Sequence, residues 1–590
     1  MRSTYYDEEL DYIRNLAREF GATHHEAAHL VEPGQDPDVE RLLEGFAFLA
    51  AQVRQTLDDD FPELTQGLFN MLWPHYLRPV PSLAIEQFRP RPGALRQTLK
   101  VPHGAQVVTE ESTPELRFRF RTCWDVQLQP IELDAATIET TRKGESSLVL
   151  QFALHPNVKF DSLDLSNLRL YLHEDVRHSW QLHYHLCRRV AEATATADAG
   201  DGPVPVRLEP LGFSREDGVL PHRDGVPLGH RLLQEYFLFP QKFGFMDLRG
   251  LEGLRGEQVK SRFTVRIVFD SEAEPGLRVV KDDIRLHCTP VLNLFTHETE
   301  PITLEATRAR YPLRPQASDR SRLDIWSVDG MSVRGTDRVD RELPWFYSFS
   351  PDVFRESPAY YTVRRQVAPD GESFLTYATV VEASGSPHPI GEGTAAFEIT
   401  CTNGRNVAAL DAGMLKGMTD SSPTGATFEN ITKPTPQIEV PQRVGLLWRL
   451  LSLLSLNRSR FSTPETLRLT LELMASLNAG TAGGEKGFAL GGQDERAQRD
   501  IQRRIRAIRG VDAKAIERIH GGGMIRGSRI TVAVDPQPFE GIGALHLFGS
   551  VLDEFFASHA TINTFTQLEV RHDESRLPLA WPPRLGEERV

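Results

Sequence analysis

Between about Ala84 and Ile431 apolar residues recur at every second position, and this period constrains the fold more than any other feature of the chain. LRFRFR sets Leu116, Phe118 and Phe120 against Arg117, Arg119 and Arg121. Side chains alternate across a strand, so this spacing predicts a half-buried antiparallel strand. Trp124/Val126/Leu128, Leu182/Tyr184/Leu186, Phe263/Val265/Ile267/Phe269 and Phe374–Val381 repeat the pattern, with Gly, Pro and Asp between them. The zone therefore predicts antiparallel β-sandwich or barrel-like units, two of them with a break near 191–205 or 300–320. The polar stretches 191–202 and 384–393 read as exposed loops.

The flanks carry a helical period instead. Tyr6, Leu10, Ile13, Ala17 and Phe20 form a heptad seam. A second helix opens at Asp36, Pro37 and Asp38, with Val39, Leu42, Leu43, Phe46, Leu49, Val53 and Leu57 as its buried stripe. A third opens at Asp60 and carries Leu64, Leu68 and Met71, after which Pro74, Pro79 and Pro81 favour extended chain. Beyond Pro434, the apolar run 441–456 and a helix from Thr463 carrying Leu467, Leu471, Met474 and Leu477 precede a Gly/Ala-rich stretch at 478–493. A basic helix is expected over 495–509, a strand over 530–534 after the glycines 521–523, and a last helix over 545–556. The reading is an α+β multidomain chain: a helical arm at 1–83, a β-rich region at 84–433 and a mixed α/β region at 434–590.

Composition narrows the function. At 590 residues the length suggests roughly four units at the usual ~150 residues each. Hydrophobic residues at 40% and charged residues at 25% describe a soluble globular chain. A net charge of -14 argues against a chain built to grip nucleic acid. Cys123, Cys187, Cys288 and Cys401 lie far apart, which disfavours zinc knuckles and redox dithiols and fits a reducing compartment. Charges in MRSTYYDEELDYIRN exclude a secretory leader there, and Arg449 interrupts the longest apolar run. A cytoplasmic protein without direct membrane insertion is expected.

Three motifs invite chemistry. His25, Glu26 and His29 match H-E-x-x-H, whose spacing would aim two imidazoles at one zinc ion. The extended form needs Gly at 32 and His at 35, where this chain has Glu32 and Gln35, so a solvated helix turn is preferred to a zinc hydrolase. His173, His178, His183 and His185 cluster, but the last two alternate with Leu182, Tyr184 and Leu186 and read as the outer face of a strand. Arg496, Arg499, Arg503, Arg504, Arg506 and Arg509 surround an Ile501/Ile505/Ile508 stripe without stacking aromatics, which suits a protein neighbour better than nucleic acid. No phosphate-cradling or nucleophile-elbow motif is present, and no cofactor is expected.

The run DPDVERLLEGFAFLAAQVRQTLDDDFPELTQGLFNMLWPHYLRPVPS, from Asp36 to Ser82, closely resembles the start of the TssF (ImpG, VasA) family, baseplate wedge subunits of the bacterial type VI secretion system. GHRLLQEYFLFPQKFGFMDL from Gly229, CTPVLNLF from Cys288, CTN from Cys401, ITKPTP from Ile431, WRLLSLLSLN from Trp448 and FGSVLDEFFASHATINTFTQL from Phe548 follow in the family's order. The resemblance implies a structural role without enzymatic activity: assembly with TssG, the TssK adaptor and a second copy of the chain, beside TssE, the VgrG spike and the sheath and tube end. It also implies coupling of baseplate rearrangement to sheath contraction. Tyr6, Leu10, Ile13, Phe20, Phe46, Leu49, Phe548, Phe555 and Phe556 are the expected partner-facing residues. A phage-tail-like baseplate component outside type VI secretion would share this architecture.

Overall fold

The computed structural model describes residues 10, 13–14, 38, 41–49, 62–111, 117–140, 145–173, 176–199, 202–222, 226–254, 259–271, 277–305, 308, 310–317, 319–335, 339–348, 359–367, 374–382, 393–439, 463–477, 494–520, 523–572 and 577–586. The chain forms two compact units: Met1–Leu72 with Pro441–Leu456, and Trp73–Val440 with Asn457–Val590.

In the first unit, Pro62 starts the helix Pro62–Leu72, where its missing N–H costs nothing, and Phe69 is fully buried. Residues 41–49 are also helical. Leu42, Phe46 and Leu49 do not form the buried stripe expected there: they are exposed, while Ala47 on the other side is buried.

The second unit is built on the period-two pattern. Strand Leu83–Pro90 lies between Cys288–Leu292 and Ala426–Asn430, with Leu83 opposite Leu292 and Phe88 opposite Phe428. Arg119–Thr122 and Gln106–Val108 extend that sheet. Both faces of the first strand are covered. Ala84 and Phe88 point into one apolar cluster with Val107, Phe120 and Phe428, whereas Leu83 and Ile85 point into another with Trp124, Phe239, Phe245 and Trp326.

A five-stranded sheet (Val204–Pro205, Val190–Ala197, Arg262–Phe269, Ser146–Leu154, Ile131–Thr140) and a four-stranded sheet (Arg207–Pro210, Phe245–Arg249, Leu168–Leu172, Ile284–Leu286) share one core of Leu148, Phe152, Leu170, Met246, Val265 and Ile267. A further pair, centred on Asp324–Gly335 with Gly393–Thr402 and on Phe374–Val381 with Tyr360–Val367, shares Met331, Val333, Tyr361, Ala378, Phe397 and Ile399. Sheets sharing an interior of alternating inward residues are sandwiches in the sense the pattern required. The mixed α+β architecture with antiparallel sheets is therefore present.

The C-terminal sheet differs. Ile508–His520 and Gly523–Val534 form a long hairpin, and Thr564–Arg571 runs parallel to the second strand. Parallel neighbours need a crossover, supplied here by the helix Ile542–Ser558.

Several local expectations are corrected. Leu182, Tyr184 and Leu186 lie on the helix Val176–Arg188, not a strand. Residues 179 to 186 are all buried, and a helix covered on every side shows no 3.6-residue stripe. The expected loop at 191–202 begins with strand Val190–Ala197, whose small residues fill a sheet. The basic helix ends at Arg506, and Ile508 opens a strand. A 3-10 turn, Pro74–Leu77, replaces extended chain. Leu116, the stretch 384–392, the run 441–456 and the stretch 478–493 lie outside the described residues.

Candidate partner interfaces

Two glycines let three helices meet within the second unit. At Gly229, on Leu228–Leu238, an added Cβ would lie 2.3 Å from the Phe555 Cα and 2.7 Å from the Glu554 carbonyl oxygen. At Gly543 it would lie 2.1 Å from the Trp180 carbonyl oxygen. Only hydrogen fits at either point, so Ile542–Ser558 approaches both neighbouring helices backbone to backbone. The Gly229 N–H donates to Ser558 Oγ at 2.7 Å.

Further along Leu228–Leu238, Glu235 is completely buried. Its Oε1 accepts the N–H groups of Val219 at 3.0 Å and Leu220 at 3.1 Å, Lys242 Nζ donates to Oε2, and Arg231 Nε stands 3.6 Å away. Burial raises the carboxyl, but the Lys242 and Arg231 charges outweigh it and hold Glu235 below the usual range. This pair fixes the turn between helix and strand.

Three further motifs, CTPVLNLF, CTN and ITKPTP, interlock in the same way. Asn293 of CTPVLNLF and Asn403 of CTN bond each other, and Asn403 Oδ1 also accepts the Arg119 N–H at 3.0 Å. Thr432 and Thr435 of ITKPTP accept the N–H groups of Ile85 at 2.8 Å and Leu83 at 2.9 Å. These motifs are internal joints of one unit.

The residues expected to face partners fall into three groups. Tyr6 and Phe20, with His25, Glu26 and His29, lie outside the described residues. Leu10 is buried and Ile13 half-buried, whereas Phe46 and Leu49 are 64% and 60% exposed beside Leu42 at 74%. Positions 42, 46 and 49 share one helical face, so this is a continuous apolar stripe. Phe548, Phe555 and Phe556 are buried against the chain's own helices: Phe548 lies 5.8 Å from Tyr236 and Phe555 5.5 Å from His230 between ring centroids. They are framework, because the helix that carries them is covered almost all round.

His183 and His185 are buried, not on an outer face. A cleft of about 710 Å³ is lined by His183, Cys187, Arg188, His546, Trp581 and Arg584, among others. Cys187 Sγ lies 3.7 Å from the His183 ring nitrogens. Burial pushes the thiol up to about 12 and the imidazole down to about 4, so the pair does not form a thiolate and imidazolium near neutral pH. Among the described residues no group of three or more His, Cys, Asp or Glu could hold a metal ion, and no helix is long and apolar enough to cross a membrane. Of the basic helix, Arg504 turns inward, 5.9 Å over the Phe539 ring. Sequence reasoning placed only the end of the second strand, at 530–534, and missed the rest of the 508–534 hairpin, although three glycines between two polar, weakly alternating runs were a signal for it.

Comparison with known proteins follows the same outline. The family model "Type VI secretion system, TssF" matches residues 2–588. Type VI secretion system component TssF1 of Pseudomonas aeruginosa is 28% identical, with 99% of this chain and 98% of the relative covered. A chain of the type VI secretion system TssK-TssF-TssG baseplate subcomplex superimposes with a TM-score of 0.76 at 30% identity, covering 93% of this chain and 100% of that one. A chain of the baseplate complex from the type VI secretion system gives 0.64 at 26% identity, over 99% and 100%. Matched by the family model from residue 2 to residue 588, the chain belongs to the TssF family of the type VI secretion system.

Proposed function

We propose that this protein is a structural wedge component of the type VI baseplate, working in the cytoplasm by assembly and not by catalysis. The observation that carries this reading is the similarity over 93% of the chain to a member of a TssK-TssF-TssG subcomplex. TssG and TssK are accordingly its first partners, and a second copy, TssE, the VgrG spike and the sheath and tube end complete the neighbourhood. In this reading the zones 1–83, 84–433 and 434–590 act as helical arm, β spacer and mixed terminal region. A rearrangement of subunit interfaces passes a change at the spike to the sheath as a rigid-body transition.

The exposed Leu42, Phe46 and Leu49 stripe supports an apolar partner helix at the arm. Co-purification with TssG-type and TssK-type partners tests the proposal. The wild-type chain is expected to form a stable complex, and Phe46→Asp with Leu49→Asp to weaken it about tenfold or more at unchanged thermal midpoint, since each buried side chain contributes roughly 1.5–3 kcal/mol. A wild-type chain that binds neither partner overturns the wedge reading. Undiminished binding by the double variant overturns the role of the stripe.

A further inference from the structure

Ile508–His520 is the outermost strand of the C-terminal sheet. Its inner side pairs with Gly523–Val534 from Ile508 opposite Val534 to His520 opposite Gly523, and no strand pairs with its outer side among the described residues. At the root, the Ile508 carbonyl is taken by Arg468, whose Nε donates at 2.7 Å. From Val511 to Ile519 every residue is exposed or half-buried; Ile519 is 76% exposed and Met524, directly opposite it, 70%.

A strand of 13 residues with an open row of N–H and C=O groups is a template for another strand. Proteins that must stay single blunt such edges with proline, bulges or short length. This edge has no proline, and its one bulge lies at the root, between Ile508 and Gly510. It does carry charges, at Arg509 in the root and at Asp512, Lys514, Glu517 and Arg518 beyond it, and their order decides what they admit.

In antiparallel pairing of two identical strands, the twofold axis passes through one residue and opposite positions share a face. An axis at Ala515 sets Asp512 opposite Arg518 twice and Val511 opposite Ile519 twice. Moving the axis to Lys514 removes every charge match, moving it to Ile516 sets Lys514 against Arg518, and moving it to Glu517 sets that residue against itself. An axis at Ala513 sets Asp512 against Lys514 but carries the pairing into the bulged root, where Arg509 is held by Asp535 and its opposite residue Glu517 by Arg526. Arg518 has no carboxylate partner among the described residues, and Asp512 has only the exposed Lys514, at 3.4 Å. Both are therefore available to a partner strand at little cost.

We propose that the outer edge of Ile508–His520 binds a second copy of this chain, strand to strand, about an axis at Ala515. This deepens the two-copy assembly proposed above and rests on it. Sedimentation velocity of the full chain over a concentration series tests the contact. The wild type is expected to show a monomer–dimer equilibrium. Arg518→Asp and Asp512→Arg each place two like-charged pairs face to face and are expected to weaken it about tenfold, with thermal midpoints unchanged. The double variant, Asp512→Arg with Arg518→Asp, restores the matches and is expected to return association to near the wild-type value.

A wild type that stays monomeric throughout, single variants that associate normally, or a double variant that fails to recover would each overturn the contact. So would single variants that lose a TssG-type partner but keep the dimer, because a different protein would then occupy the edge. Counting copies in the wild-type complex with a TssG-type partner separates the two failures. Two copies with an unresponsive edge sink this contact alone, and one copy sinks the assembly reading as well.

Discussion

Asn293 and Asn403 bond each other in both directions: Asn293 Nδ2 donates to Asn403 Oδ1 at 2.8 Å, and the Asn403 N–H donates to Asn293 Oδ1 at 2.8 Å. They lie 110 residues apart and both are buried, so each satisfies groups that water cannot reach. Asn293 Nδ2 also donates to the Arg119 carbonyl at 2.7 Å, which ties a third segment into the joint.

Asn293→Ala leaves the Asn403 N–H and the Arg119 carbonyl without this partner in a buried site. A loss of about 2–3 kcal/mol is expected, read as a lower denaturant midpoint, with the CD spectrum of the remaining fold unchanged. Asn293→Asp keeps the acceptor but loses the donor and is expected to be destabilising too.

Gly229→Ala drives a methyl group onto the Phe555 backbone, which cannot give as a side-chain end could. The expected cost is at least about 1–3 kcal/mol in thermal-unfolding experiments. Gly45→Ala is the control. It meets nothing within 4 Å in helical chain and should gain about 0.5–1 kcal/mol.

Lys242→Met strips the buried Glu235 of its closest cation and is expected to cost about 3–5 kcal/mol. Adding Glu235→Gln removes the stranded charge while retaining an acceptor for the Val219 and Leu220 N–H groups, so the double variant should recover most of that loss in chemical denaturation. Equal instability of single and double variants would show that geometry, not charge, dominates the joint.

Asp553 gives a pH signature. Burial pushes its carboxyl up to about 6, against the pull of Arg584, which pairs with it. The folded state therefore holds this proton more tightly than the unfolded chain does. The associated stability is full below about pH 4 and falls as pH rises toward 6, by on the order of 3 kcal/mol at about 1.4 kcal/mol per unit. Asp553→Asn should match the wild type near pH 4 and exceed it near pH 7. A constant difference across that range would refute the assignment.

How far the chain could be read depended on whether an element had a wet side. Phe263, Val265, Ile267 and Phe269 alternate with exposed or half-buried partners, and the strand was legible from them alone. Leu182, Tyr184 and Leu186 alternate too, but on a helix buried against neighbours on all sides, where the pattern carries no period. Ile508–His520 escaped notice for the opposite reason, since nearly all of it beyond the root is exposed. Among the residues expected to face partners, composition alone did not separate Phe46, which is exposed, from Phe555, which is buried. Both sit on apolar helices, and only the packing of Phe555 against His230 and Gly229, with Phe46 left open, tells them apart.

The helix Ile542–Ser558 also sets a timetable. Its two neighbours, Val176–Arg188 and Leu228–Leu238, are synthesised more than 300 residues earlier, and the faces they turn to it have no cover until it arrives. At ~5–20 residues per second on the ribosome, those faces stay open for roughly 15–70 seconds. The nascent chain spends that interval exposing apolar surface that other nascent copies or a chaperone can reach. A stop codon anywhere before Ile542 would therefore release not a shortened subunit but one whose centre has never closed.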